Sequence, residues 1–228
     1  DTAVTARPGA RFGPRGMRQA SSMIAWDRVF GWDFDPFEVL SVIDYGDVVF
    51  DNGVPQKVPA EIEAQFREIH QKGVATLMLG GDHFSTYPVI KSLAQEFDEP
   101  LSLIHFDAHS DTWEDEDGRI DHGTMFYHAF KEGIINPATS VQIGIRTHND
   151  ETHGFTVVSA EEVRSCGANE VIETIRKVVG ETPAYITFDI DCLDPCYAPG
   201  TGTPVVGGLT TMEAQQILRG LRGLKIKS

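Results

Sequence analysis

Three short segments of this 228-residue chain carry acids and histidines at spacings suited to holding metal ions. In His105-Phe106-Asp107-Ala108-His109-Ser110-Asp111, residues Asp107, His109 and Asp111 recur at every second position. In an extended segment all three side chains point to one side, whereas in a helix the middle one would point away. Carboxylates converging on one point repel each other unless a cation lies between them. Phe188-Asp189-Ile190-Asp191 repeats the pattern with Asp189 and Asp191, directly after the apolar run 184–188. Burying two such acids without a partner is costly, and a metal removes the penalty. Leu79-Gly80-Gly81-Asp82-His83 adds His83 behind two glycines that allow a tight turn and a close backbone approach.

Taken singly, each segment has a plain explanation: a solvated loop, two solvated acids at a strand end, an ordinary strand-to-helix turn. Taken together, His83, Asp107, His109, Asp111, Asp189 and Asp191 are too many for one tetrahedral zinc. The oxygen-rich set with some nitrogen suits two Mn²⁺ ions per chain. Two ions about 3.5–4 Å apart can hold a bridging hydroxide as nucleophile. The following stretch 198–204, rich in Gly, Pro and Thr, suits a rigid loop that brings amides and hydroxyls close to a substrate.

The elements that must position these residues alternate. Short apolar runs at 39–43, 75–79, 101–106, 141–145, 155–158 and 184–188 suit strands buried on both faces of a parallel sheet. Helical patterning falls at 16–26, 59–72, 88–96, 124–132, 160–163, 168–179 and 211–221. The expected fold is α/β, a three-layer sandwich with a mainly parallel central sheet. All six candidate ligands fall at carboxyl ends of expected strands, where open α/β sheets bind their ligands. One domain over 1–228 is expected from 41% hydrophobic residues. Both ends look cut, because 225–228 reads as the start of a strand and no strand precedes the loop-like 2–13.

Nineteen Lys and Arg against 34 Asp and Glu give a net charge of -15. That balance argues against a nucleic acid or an anionic membrane as partner and weakly favours a cationic small molecule. It also suits a dispersed cytoplasmic protein. No apolar run approaches the length of a membrane span, and residues 1–10 contain no apolar signal core. Three cysteines, Cys166, Cys192 and Cys196, suit a reducing compartment, with Cys192 and Cys196 as small packing residues.

These residues resemble a known family, the ureohydrolases (arginase and agmatinase), and within it bacterial agmatinase. The likeness is carried by Arg7-Pro8-Gly9-Ala10-Arg11-Phe12-Gly13-Pro14, Gly80-Gly81-Asp82-His83, Asp107-Ala108-His109-Ser110-Asp111 and the stretch 189–208. Asp121-His122-Gly123-Thr124-Met125-Phe126 and Ser140-Val141-Gln142-Ile143-Gly144-Ile145-Arg146-Thr147 carry the closer one. The resemblance implies that His83, Asp107, Asp111 and Asp189 hold one manganese and Asp107, His109, Asp189 and Asp191 the other, with Asp107 and Asp189 bridging. It makes His122 a mobile proton-shuttling histidine and Asp111 the carrier of a proton from hydroxide to the leaving amine. It places the Thr203 hydroxyl near the guanidinium, and implies agmatine hydrolysis to putrescine and urea and a homo-oligomer, trimer or hexamer. One feature departs from the family: the glutamate that grips the guanidinium falls beyond Ser228. Other guanidino substrates (guanidinobutyrate, arginine, a proclavaminate precursor) remain open, with loops 113–121 and 147–154 expected to decide among them. So does a non-catalytic relative of the same fold. A phosphoesterase would want Lys or Arg at the metals, and Arg119 and Arg146 lie outside the motifs.

Overall fold

Runs of Val, Ile, Leu and Phe form four strands, β1 (Ser102–Phe106), β2 (Val141–Ile145), β3 (Thr156–Ser159) and β4 (Ala184–Phe188). They are seen in a computed structural model that describes residues 1–23, 28–115 and 118–228. All pair in parallel, in the order β3-β2-β1-β4, so their carboxyl ends share one edge. β1 and β2 are buried along their whole length, as a parallel sheet covered on both faces requires.

The helices are α1 (Gly13–Ser21), α2 (Pro36–Val39), α3 (Val58–His70), α4 (Thr86–Ala94), α5 (Met125–Lys131), α6 (Ala160–Cys166), α7 (Ala168–Val179) and α8 (Thr211–Gly220). On one side of the sheet, Ile62 and Phe66 of α3, Ile90 of α4 and Phe126 of α5 pack with Leu101 and Leu103. On the other, Val163 of α6, Ile175 of α7 and Ile217 of α8 pack with Ile104, Phe106, Val141 and Ile143. This is the expected three-layer sandwich. Successive β1 residues enter opposite layers, as the period of two dictates. Fully buried side chains such as Phe106 and Phe126 each stabilise the fold by about 1.5–3 kcal/mol. Capping boxes, Ser159 with Glu162 and Thr210 with Glu213, start α6 and α8 and fix where the chain leaves the sheet edge.

Two expected strands are corrected. In 39–43, Asp35 caps α2 and Pro36 opens it, so Val39 is helical, and the residues after it are extended without a ladder. In 75–79 the apolar pattern is present, but among the described residues no strand runs alongside to accept ladder bonds. Instead the Ser228 hydroxyl donates to the Thr76 carbonyl, and Leu77 is 88% exposed. A strand needs a neighbour as well as a propensity. The helix expected at 16–26 starts earlier, at Gly13, and ends at Ser21; positions 24–26 lie outside the described residues. Residues 225–228 do begin to pair: Ala184 N–H donates to the Lys225 carbonyl and Ile186 N–H to the Ser228 carbonyl.

The N-terminal segment folds back over the sheet edge. The Ala3 N–H donates to Asp82, and a side chain at Gly81 would put its Cβ 2.1 Å from the Ala10 carbonyl oxygen. The obstacle is backbone and cannot swing aside. Gly81→Ala should therefore destabilise the protein by about 1–3 kcal/mol or more. A chain of this size then melts several degrees lower by calorimetry; an unchanged melting temperature would mean the segment is not held as described.

Candidate metal centre

β1 ends at Phe106 and β4 at Phe188, so Asp107 and Asp189 step off adjacent strands onto the same edge. There Asp189 N–H donates to the Phe106 carbonyl. Beyond these points neither segment stays extended, contrary to the simple alternation expected. Asp111 has φ +51°, in the left-handed region that non-glycine residues seldom enter. Ile190–Cys192 is a 3₁₀ turn capped by Asp189, whose Oδ1 accepts the Asp191 N–H at 3.0 Å. The acids converge because the backbone turns.

His83 follows the glycine turn and opens a short 3₁₀ helix before α4. Its Nδ1 lies 3.0 Å from Asp107 Oδ2, 2.9 Å from Asp111 Oδ2 and 3.2 Å from Asp189 Oδ2. It is buried and aligned for a hydrogen bond with none of them. On the other side, His109 Nδ1 is 3.2 Å from both Asp107 Oδ1 and Asp191 Oδ2. The two oxygens of Asp107 thus face two half-clusters. Ligand-type atoms of His83, His105, Asp107 and Asp111 lie within 4.8 Å of one another, as do those of Asp107, His109 and Asp191. Asp189 stands outside both sets; its Oδ1 accepts the Asp191 amide, while its Oδ2 lies 3.2 Å from His83 Nδ1.

The electrostatics are those of crowded acids. Burial, then the nearby Asp107 charge, pushes Asp111 well above the usual carboxylate range. Asp191 rises to about 6, from burial first and then from Asp107 and Asp189, although His109 opposes the rise. Burial would raise Asp107 too, but bonds from His105 and His109, together with the close approach of His83, outweigh it and hold it well below the usual range. Burial disfavours a charged His109, yet Asp107 and Asp191 prevail and lift it to about 10. A buried Nδ1 with no aligned partner, ringed by three carboxylates, fits a cation better than it fits a hydrogen bond. The residues present therefore suit a metal.

Asp107, His109, Asp111, Asp189 and Asp191 line a cavity of about 310 Å³, with His83 buried behind them. Thr203 lines it as well, and its hydroxyl donates to Asp191 Oδ2 at 3.2 Å. His122 also lies on the wall. Its Nε2 accepts the Thr5 N–H at 3.2 Å and lies 2.7 Å from the Thr5 hydroxyl. Trp113, Arg119 and Asp121 close one side, with Arg119 ion-paired to Asp121. From the second expected specificity loop, Asn149 ties 147–154 to Ser110 and Thr112.

Some of the pairings around the site are not visible in the sequence motifs. Thr5 is 117 residues from His122, and no local pattern joins them. His105 and Gln142 look like polar interruptions of buried strands. Arg146 spends its guanidinium on backbone carbonyls, including Asp191 at 2.6 Å and Val205 at 2.7 Å, which staples the 189–206 segment to β2. That leaves it unsuited to a substrate phosphate. Cys192 and Cys196 are unpaired, Cys192 in the core and Cys196 exposed, so only Cys192 is the packing residue expected.

A family model described as the arginase family matches residues 1–228. The agmatinase of Chromobacterium violaceum is 50% identical over 227 residues, which is 99% of this chain and 70% of that protein. A crystal structure of a hypothetical agmatinase from Burkholderia thailandensis superposes with a TM-score of 0.97 at 51% identity, over 100% of this chain and 72% of the other. Proclavaminate amidino hydrolase from Streptomyces clavuligerus superposes with a TM-score of 0.90 at 38% identity, over 100% of this chain and 77% of that one.

Proposed function

The chain belongs to the arginase family, and from that premise we propose that it hydrolyses agmatine to putrescine and urea with two manganese ions. The observation that carries the reading is the cluster on the cavity floor, where Asp107 turns one oxygen to His83 and the other to His109. His83, Asp107, Asp111 and Asp189 would hold one ion, and Asp107, His109, Asp189 and Asp191 the other. Bound there, the ions would lower the pKa of water so that hydroxide is present near neutral pH. Agmatine is favoured over other guanidino compounds by relatives that carry the name agmatinase at about half identity.

The chain's own residues do the rest. The acidic walls attract a cationic guanidinium, and Thr203 offers a hydroxyl to orient it. Asp111 accepts the proton from the attacking hydroxide and passes it to the nitrogen that leaves as putrescine, as the C–N bond breaks. His122, on the cavity wall, exchanges protons with bulk water.

We extend the reading to a cytoplasmic homo-oligomer, trimer or hexamer. Exposed Phe30, Ile43 and Leu77 give such an assembly apolar surface to bury. No helix among the described residues is long and apolar enough to cross a membrane. The test is urea release from agmatine, guanidinobutyrate, arginine and a proclavaminate precursor. Agmatine should give the highest kcat/KM. A faster rate on another compound would reassign the substrate, and no urea from any would sink the proposal.

A further inference from the structure

We infer that His105 is a positioning residue for Asp107, with its own proton fixed by Gln142, and that it does not itself ligate a cation. The inference deepens the metal-site reading above and rests on it for its consequence, though not for its geometry. His105 is fully buried on β1, two residues before Asp107 and on the same face. In the parallel ladder it is in register with Gln142 on β2 and Thr187 on β4. A polar row therefore crosses three strands of the sheet, one step behind the acids.

The hydrogen bonds of this row determine where each proton sits. Gln142 Nε2 is 2.6 Å from the Ser110 carbonyl oxygen, which can only accept. The amide nitrogen must therefore face Ser110, which settles its orientation. The same nitrogen lies 3.2 Å from His105 Nδ1, so its second N–H donates there and Nδ1 is the acceptor. The imidazole proton is then on Nε2, which donates to Asp107 Oδ2 at 2.9 Å. The other oxygen of Asp107 accepts the His109 N–H at 2.7 Å. Both oxygens are anchored, and the carboxylate plane is fixed with one oxygen toward each half of the cluster. An Nε2 that carries a proton has no lone pair to give a metal, so His105 is excluded as a ligand despite its closeness to His83 and Asp111.

Two measurements on the full chain test this. In metal-free protein labelled with ¹⁵N-histidine, long-range ¹H–¹⁵N correlations should place the His105 proton on Nε2; a proton on Nδ1 overturns the inference. Manganese binding by calorimetry is then compared for His105→Phe, which keeps a ring against Phe126 but no N–H, and His105→Gln, which keeps a donor. His105→Phe should bind manganese about 10–100-fold more weakly, and His105→Gln should restore most of the loss. Melting of the metal-free proteins, followed alongside, separates lost affinity from lost fold. Unchanged affinity in His105→Phe overturns the inference, as does loss of a whole equivalent of manganese in both variants, which would make His105 a ligand. Wild-type protein that binds no manganese would instead overturn the metal-site reading, and the nitrogen spectrum would still decide the hydrogen bond.

Discussion

Asp107→Asn should cut the kcat/KM for urea release from agmatine by about 10²–10⁴-fold. The side chain keeps its shape and loses its charge. Asp107 is 1% exposed and meets His83, His105 and His109 at once, so no solvent compensates for the change. Removing one partner from a buried charge cluster costs about 3–5 kcal/mol. At 1.36 kcal/mol per factor of ten, that cost in the transition state gives the stated range. The new amide nitrogen would also point a donor at another donor, at His105 Nε2 or at the His109 amide. The rate is to be measured at saturating manganese, with folding checked by circular dichroism. A variant within tenfold of wild type would mean that Asp107 does not hold the site together.

Chelating the metal should lower the melting temperature by about 10–20 °C. Asp107, Asp111 and Asp191 are all buried, and burial first, then the charges of neighbouring acids, raises Asp111 and Asp191. A ligand at 100 times its dissociation constant stabilises the folded chain by about 2.7 kcal/mol per site. Two ions, each at 100 times its own dissociation constant, give about 5 kcal/mol, and a domain of this size shifts by about 2–4 °C per kcal/mol. Calorimetry before and after chelation, and again after manganese is restored, checks both the size and the reversal. A melting temperature indifferent to manganese would mean that the folded chain does not bind it.

Much of this site is legible in the sequence, for reasons that can be named. Asp107 and Asp189 follow apolar runs that form β1 and β4, and parallel pairing sets both at one edge. The geometry past that edge is less legible. Alternation suggests an extended Asp107-His109-Asp111, but the chain turns through a positive φ at Asp111. It suggests the same for Asp189 and Asp191, which a 3₁₀ turn brings together instead. Identity of residue type survives such a change, because a metal cluster needs converging donors and not a particular backbone.

Long-range partners are invisible for a different reason. His105 and Gln142 touch only because β1 and β2 pair in one register, and register is not written in either strand alone. Thr5 meets His122 because the N-terminal segment crosses the sheet edge, held by contacts at Gly81 and Asp82. Segments 39–43 and 75–79 show the converse: β propensity marks where a strand could form, and the presence of a neighbour decides whether it does.

Urea release from agmatine, followed while metal-free protein is titrated with Mn²⁺, tests the two-ion reading of the site. No urea should form without metal, and the rate should rise until two manganese ions are bound per chain and then stay level. Urea formed by the metal-free chain, or none formed once two ions are bound, would contradict that reading.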